Sequence, residues 1–199
     1  MITDGQELEA LRVLARTTRP LTGRDVARLA HRGSHSSTQR SLRRLVESGL
    51  VDVQEAGRAR LYTLNREHVA VGPALALLGL REELLRRMSE AINGWEIAPV
   101  HASLFGSSAR GDGDEDSDVD VFIIRPDAVD EEDPRWRAQL DELSESIRRW
   151  SGNEAALSEV SEKELRRLRR ERPPIVNSLT SEALTLAGPQ AADLLHATR

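Results

Sequence analysis

No cysteine occurs in the 199 residues, so disulfides, zinc knuckles and thiol chemistry are excluded. Aromatic residues amount to 3%, too few for a reading built on stacking single-stranded bases on exposed rings. The longest apolar stretch, around Val71 to Leu80, is broken by Gly72, Pro73 and Gly79 and falls short of the roughly 20 residues that a membrane span requires. Close to Met1 stand Asp4, Glu7 and Glu9, where a secretory signal would be basic and apolar, so the expectation is a cytoplasmic protein with no membrane role. Lysine is nearly missing as well, Lys163 being the only one among 28 basic residues.

What is present is a globular composition, with 39% hydrophobic and 31% charged residues over a length that suits one large domain or two small ones. The net charge of -5 conceals an asymmetry. Residues 1–70 carry 12 arginines against 8 acids, whereas the remainder carries 16 basic residues against 25 acids. A basic first part and an acidic second part meet different partners.

Helical periodicity opens the chain. Leu8, Leu11 and Leu14 recur on one face, and the pattern stops before Pro20. Thr22-Gly23-Arg24-Asp25 supplies an N-cap with an acid three residues on, ahead of Val26, Leu29 and Ala30. After Gly33 a third pattern places Thr38, Leu42, Leu45 and Val46 together and ends at Gly49. Val51-Asp52-Val53 and Leu61-Tyr62-Thr63-Leu64 then read as a hairpin turning near Gly57. In the third helix Arg40 and Arg44 project opposite Leu42, with Ser36 and Ser37 on the same outer side near its start, while Arg58 and Arg60 stand at the hairpin tip and on its return strand.

Three short helices followed by a hairpin, from Gln6 to Asn65, resemble a winged helix-turn-helix module of the small bacterial regulator type. The resemblance implies that the third helix enters the major groove of double-stranded DNA, that the hairpin reaches a neighbouring phosphate or minor groove, and that Ser36, Ser37, Arg40, Arg44, Arg58 and Arg60 are the DNA-binding residues. A solvated helix face, or docking of another protein, is the competing reading of the same arginines. Residues 71–94 read as a helical connector, in which Leu77, Leu80, Leu84, Leu85 and Met88 form an apolar stripe suited to core packing or to pairing with a second copy as a homodimer.

The segment from Leu104 to Ile124, LFGSSARGDGDEDSDVDVFII, carries the chemistry. It leaves one candidate strand, Val100 to Phe105, and enters another, Val119 to Ile124, through a loop containing Gly106, Ser107, Ser108, Gly111 and Gly113. Glycine directly after a strand lets backbone N–H groups approach a polyphosphate, and Ser107 adds a hydroxyl donor. Asp118 and Asp120, two apart on a strand, share one face, while Val119, Val121 and Ile123 take the other. Adjacent carboxylates repel unless a divalent cation lies between them, and Mg²⁺ favours such hard oxygen ligands completed by phosphates and water. An EF-hand loop fails from either Asp112 or Asp114, because the sixth residue is Ser117 or Val119 and the twelfth Ile123 or Arg125. A Walker loop fails because no lysine follows the glycines. The acids Asp112, Asp114, Glu115 and Asp116 read as a solvated loop.

Gly106, Ser107, Ala109, Arg110 and Gly111, followed by Ser117-Asp118-Val119-Asp120, closely resemble the signature of the polymerase-β-type nucleotidyltransferase superfamily in its small prokaryotic form. The resemblance implies that Gly106 and Ser107 hold the phosphates of ATP or another nucleoside triphosphate, and that Asp118 and Asp120 are catalytic and ligate two Mg²⁺ ions. Members of that superfamily generally carry a third carboxylate on a neighbouring strand. Here the candidate strand is Ala155 to Val160, after a helix that Pro134 opens, and alternation puts Glu159 on the core side with Ala155 and Leu157. Glu154 could reach the site from the strand end, or a bulge could turn Glu159 inward. Downstream, Ser161 and Glu164 form a capping box for a helix crowded with Arg166, Arg167, Arg169, Arg170 and Arg172. That helix is either a solvated face paired with acids or a steering surface for anions.

The expected fold class is therefore α+β, with a winged helix-turn-helix at 1–70, the connector at 71–94, and a nucleotidyltransferase fold of mixed sheet and flanking helices at 95–199. The expected activity is Mg-dependent transfer of AMP from ATP onto a hydroxyl of a protein or small molecule. The rival expectation is a transcriptional regulator whose second domain senses a nucleotide with little or no turnover.

Overall fold

The computed structural model describes residues 5–30, 34–110 and 118–196. Asp4, Gly33, Gly111, Asp112, Gly113, Asp114, Glu115, Asp116 and Ser117, named above, lie outside the described residues. The chain divides into two compact units, Met1–Arg81 and Glu82–Arg199.

The first unit runs α1 (Gly5–Ala15), β1 (Leu21–Thr22), α2 (Gly23–Leu29), α3 (His35–Glu47), β2 (Val51–Ala56), β3 (Ala59–Leu64) and α4 (Val71–Leu78). Local chemistry marks these boundaries. Thr22 accepts from the Asp25 backbone N–H and Asp25 answers the Thr22 N–H, closing a capping box worth about 1 kcal/mol. Ser34 and Ser37 do the same for α3, which gives Ser37 a structural task. At φ +75 Gly49 turns the chain out of α3. The buried face of α3 is Thr38, Ser41, Leu42 and Leu45, packed with Leu11, Leu14, Val26, Leu50 and Tyr62. β1, β3 and β2 form a three-stranded antiparallel sheet in that order, the two-residue β1 pairing Leu21 with Tyr62. Its brevity hid β1 from periodicity.

The stretch expected as a helical connector consists of two helices parted at Gly79, whose N–H bonds back to Leu75 and Ala76 carbonyls. Val71 and Ala74 of α4 sit in the first core; Leu77 and Leu80 are exposed.

In the second unit α5 (Leu80–Asn93), β4 (His101–Leu104), α6 (Gly106–Arg110), β5 (Val119–Arg125), α7 (Pro134–Ser151), β6 (Ala155–Ser161), α8 (Glu162–Glu171), α9 (Pro174–Ser181), β7 (Leu184–Ala187) and α10 (Ala191–His196) follow one another. Four strands form a mixed sheet in the order β6-β5-β4-β7, with β5 and β6 parallel and the other pairs antiparallel. Each face has its own core, as the twofold alternation of β5 requires. Val119, Val121 and Ile123 pack with Met88 and Ile92 of α5 and with Trp136, Leu140, Leu143 and Ile147 of α7. Phe122 and Ile124 pack on the other side with Leu165, Val176, Leu179, Ala191 and Leu195 from α8, α9 and α10. β5 is thereby buried on both faces over most of its length, and only its start is left for chemistry.

Candidate functional site

The site forms where β4 ends and β5 begins. Asp118 is exposed and Asp120 half-buried, both on the β5 face that continues into Phe122 and Ile124. Burial comes first, and the neighbouring Asp118 charge second, in pushing the Asp120 carboxyl above its ordinary value. Two acids held this close are the arrangement that a cation relieves.

The glycine-serine turn is fastened to the same strand by hydrogen bonds. The Phe105 N–H donates to the Asp120 carbonyl at 3.0 Å, and the Ser108 hydroxyl donates to the Asp118 carbonyl at 3.1 Å. Gly106 adopts φ +70, a conformation that L side chains rarely enter. A Cβ there would lie inside 3.0 Å of Asp120 Oδ2, so the absence of a side chain at Gly106 makes room for the carboxylate beside the turn. Ser107 follows, half-buried, in the first turn of α6. Gly106, Ser107, Asp118 and Asp120 are thus brought together although 14 positions separate the outermost of them along the chain.

The two candidate third acids part company. The β5–β6 register runs without a bulge from Val119 opposite Ala155 to Arg125 opposite Ser161, so Glu159 stays opposite Ile123 on the face away from Asp120. Its Oε1 accepts from Arg125 Nε at 2.6 Å and from Trp136 Nε1 at 3.0 Å. A bulge turning Glu159 toward the site is absent, because that carboxylate already neutralises a nearly buried guanidinium. Glu154 is exposed just ahead of β6, and its carbonyl accepts from the Val119 N–H at 2.8 Å. By alternation it shares the face of Asp118 and Asp120, but no group of three acidic or histidine ligands close enough for a metal occurs among the described residues.

Residues 82–179 match the family model of the nucleotidyltransferase domain. The match spans the turn, both aspartates and the β6 strand. Comparison with curated proteins and with solved structures returned no match. Within the matched segment His101 and Ser103 were not anticipated. Both are fully buried, with His101 Nδ1 2.7 Å from the Pro189 carbonyl and Nε2 2.9 Å from Ser103 Oγ. Alternation of a histidine and a serine along an apolar strand was the available signal. Full burial makes the pair a tether for the segment after β7 instead of a reactive dyad.

In the first unit Ser36, Arg40, Arg43 and Arg44 are exposed on α3, and Arg58 and Arg60 are exposed on the hairpin. Arg43, at i+3 from Arg40, extends the basic face beyond the residues that project opposite Leu42. Arg44 Nη1 lies 3.4 Å from Glu7 Oε1 on α1, and Arg60 sits 3.7 Å from Glu55 across the hairpin. Ser37 is partly withdrawn into its cap. Arg40, Arg43 and Arg58 form no ion pair among the described residues.

Proposed function

We propose that the protein is a magnesium-dependent nucleotidyltransferase that moves AMP from ATP onto a hydroxyl of a protein or small molecule, joined to a winged helix-turn-helix that binds double-stranded DNA. The seating of Gly106 against the Asp120 carboxylate, with Asp118 beside it, carries the reading. Asp118 and Asp120 supply hard oxygen donors of the type Mg²⁺ prefers, and the burial and the Asp118 charge that together push the Asp120 carboxyl upward are what a divalent ion offsets. When bound, the metal neutralises phosphate charge and makes the acceptor hydroxyl more acidic.

The chain's own part is positioning. Gly106 leaves the backbone bare where phosphate oxygens approach, and Ser107 Oγ donates a hydrogen bond to one of them. The acceptor oxygen forms a bond to the α-phosphorus, the bond to the bridging oxygen breaks, pyrophosphate departs, and the hydroxyl proton passes to solvent. Held in one orientation, these groups convert a bimolecular encounter into a local displacement. With ATP, Mg²⁺ and an acceptor, the protein is expected to release pyrophosphate, and Asp118→Ala combined with Asp120→Ala to abolish it. Equal release by the double variant overturns the assignment.

The DNA-binding part is supported by the order of helices and hairpin and by the exposed Ser36, Arg40, Arg44, Arg58 and Arg60. Ser37 belongs to the same helix start, and Arg43 joins the set. Affinity for a duplex should fall steeply as salt rises, because each neutralised phosphate releases counterions. No binding at low salt, or binding indifferent to salt, removes this part.

One observation favours a second reading, a nucleotide-sensing regulator with little turnover. Glu159 is committed to Arg125 and Trp136 instead of the site. Nucleotide binding without pyrophosphate release, accompanied by a change in duplex affinity, would select the sensor over the enzyme.

A further inference from the structure

We propose that Arg172, the C-terminal cap of α8, is a phosphate-binding residue of the nucleotide site, an inference that rests on the nucleotidyl-transfer reading above. Its backbone provides the first ground. Arg172 has φ 44 and ψ 55, and it is the one non-glycine residue with positive φ among the described residues. The other five positive-φ positions are all glycine, including Gly152, which caps α7 in the same left-handed conformation. A helix end of this kind ordinarily takes glycine or asparagine. Pro173 adds to the constraint on the residue before it. At this one cap the chain keeps a side chain where its backbone would be easier without one.

That side chain does not hold the fold together. Arg166 pairs with Asp127 and Arg167 with Glu171, whereas Arg172 is exposed and its guanidinium makes no ion pair among the described residues. The helix dipole does not require it either, since Arg169 and Arg170 already occupy the last turn.

Placement supplies the second ground. β5 and β6 run parallel, with Asp118 and Glu154 at their starts and Arg125 opposite Ser161 at their ends. α8 begins immediately after Ser161 and packs Leu165 and Leu168 in one cluster with Phe122, Ile124 and Val160, on the face of the sheet that carries Asp118 and Asp120. Ten helical residues rise about 15 Å, the length of four to five strand residues at about 3.3 Å each, so a helix returning along β5 is long enough to reach the level of Asp120. An arginine there offers a planar fork of donors to a phosphate chain held against Gly106 and Ser107.

The test titrates wild-type, Arg172→Gly and Arg172→Asn proteins with inorganic tripolyphosphate, ATP and adenosine, and records denaturant midpoints. Both residues suit the left-handed cap, so the midpoint should hold or rise, while affinity for tripolyphosphate and ATP falls roughly tenfold or more, the worth of a charge-assisted hydrogen bond. Adenosine binding should not change. Should the glycine variant fail to fold, the asparagine variant carries the comparison. Undiminished tripolyphosphate affinity in folded variants overturns the Arg172 assignment and leaves the functional reading standing, as does an equal loss for adenosine. A wild-type protein that binds neither tripolyphosphate nor ATP brings down both.

Discussion

Replacing Gly106 by alanine probes the site at its tightest point. The substitution places a Cβ at φ +70, which costs an L residue about 1–2 kcal/mol, and sets that atom inside 3.0 Å of Asp120 Oδ2. The clashing group is a short side chain with two rotatable bonds, so it yields, and the clash itself adds little to the loss of stability. Yielding is the functional damage. The carboxylate must move by about 1 Å to restore ordinary contact, and a misplacement of that size costs on the order of 100-fold in rate. Chemical denaturation of Gly106→Ala should therefore show a loss of about 1–2 kcal/mol, and pyrophosphate release under conditions where the variant is fully folded should fall roughly 100-fold. A variant with wild-type stability and wild-type turnover would refute the argument that this glycine exists to admit the Asp120 carboxylate.

Gly188→Ala separates the two effects, because there the added Cβ meets the Val100 carbonyl of the backbone, which cannot swing aside; the expected loss is about 3 kcal/mol with nucleotide affinity retained in whatever remains folded. Asp120→Asn removes a charge disfavoured by burial and by Asp118, so its melting temperature should rise while turnover disappears. Glu159→Ala strands the nearly buried Arg125 and should cost about 3 kcal/mol, yet ATP binding should survive because that carboxylate faces away from the site. His101 titrates below its ordinary value, mainly through burial, with the Pro189 carbonyl opposing. Since the unfolded chain takes up that proton first, stability should decline as pH falls below about 6.5 toward the depressed folded value, and His101→Asn should flatten that part of a stability–pH curve.

What could be read along the chain is whatever depends on near neighbours. Thr22 with Asp25 and Ser161 with Glu164 are three residues apart, so their capping boxes follow from helix geometry before any packing. The common face of Asp118 and Asp120 is likewise a matter of strand alternation, and the placement of Glu159 on the opposite face follows by the same rule once the strand is known to lack a bulge. The two-residue β1 has too little pattern to be read, and Gly79 splits a segment whose apolar stripe looks continuous.

Tertiary structure alone decided what meets across the sheet. That β4 and β5 pair so as to set Gly106 beside Asp120, that Glu159 is taken by Arg125 and Trp136, and that β7 returns to lie next to β4 with Gly188 against Val100 are contacts between residues 14 to 88 positions apart. Such contacts are selected by the burial of two separate cores on the faces of one sheet, a collective free energy to which each residue contributes only a share. The residue types able to perform the chemistry were therefore legible one after another, whereas their convergence on one carboxylate pair was settled only when the sheet closed around them.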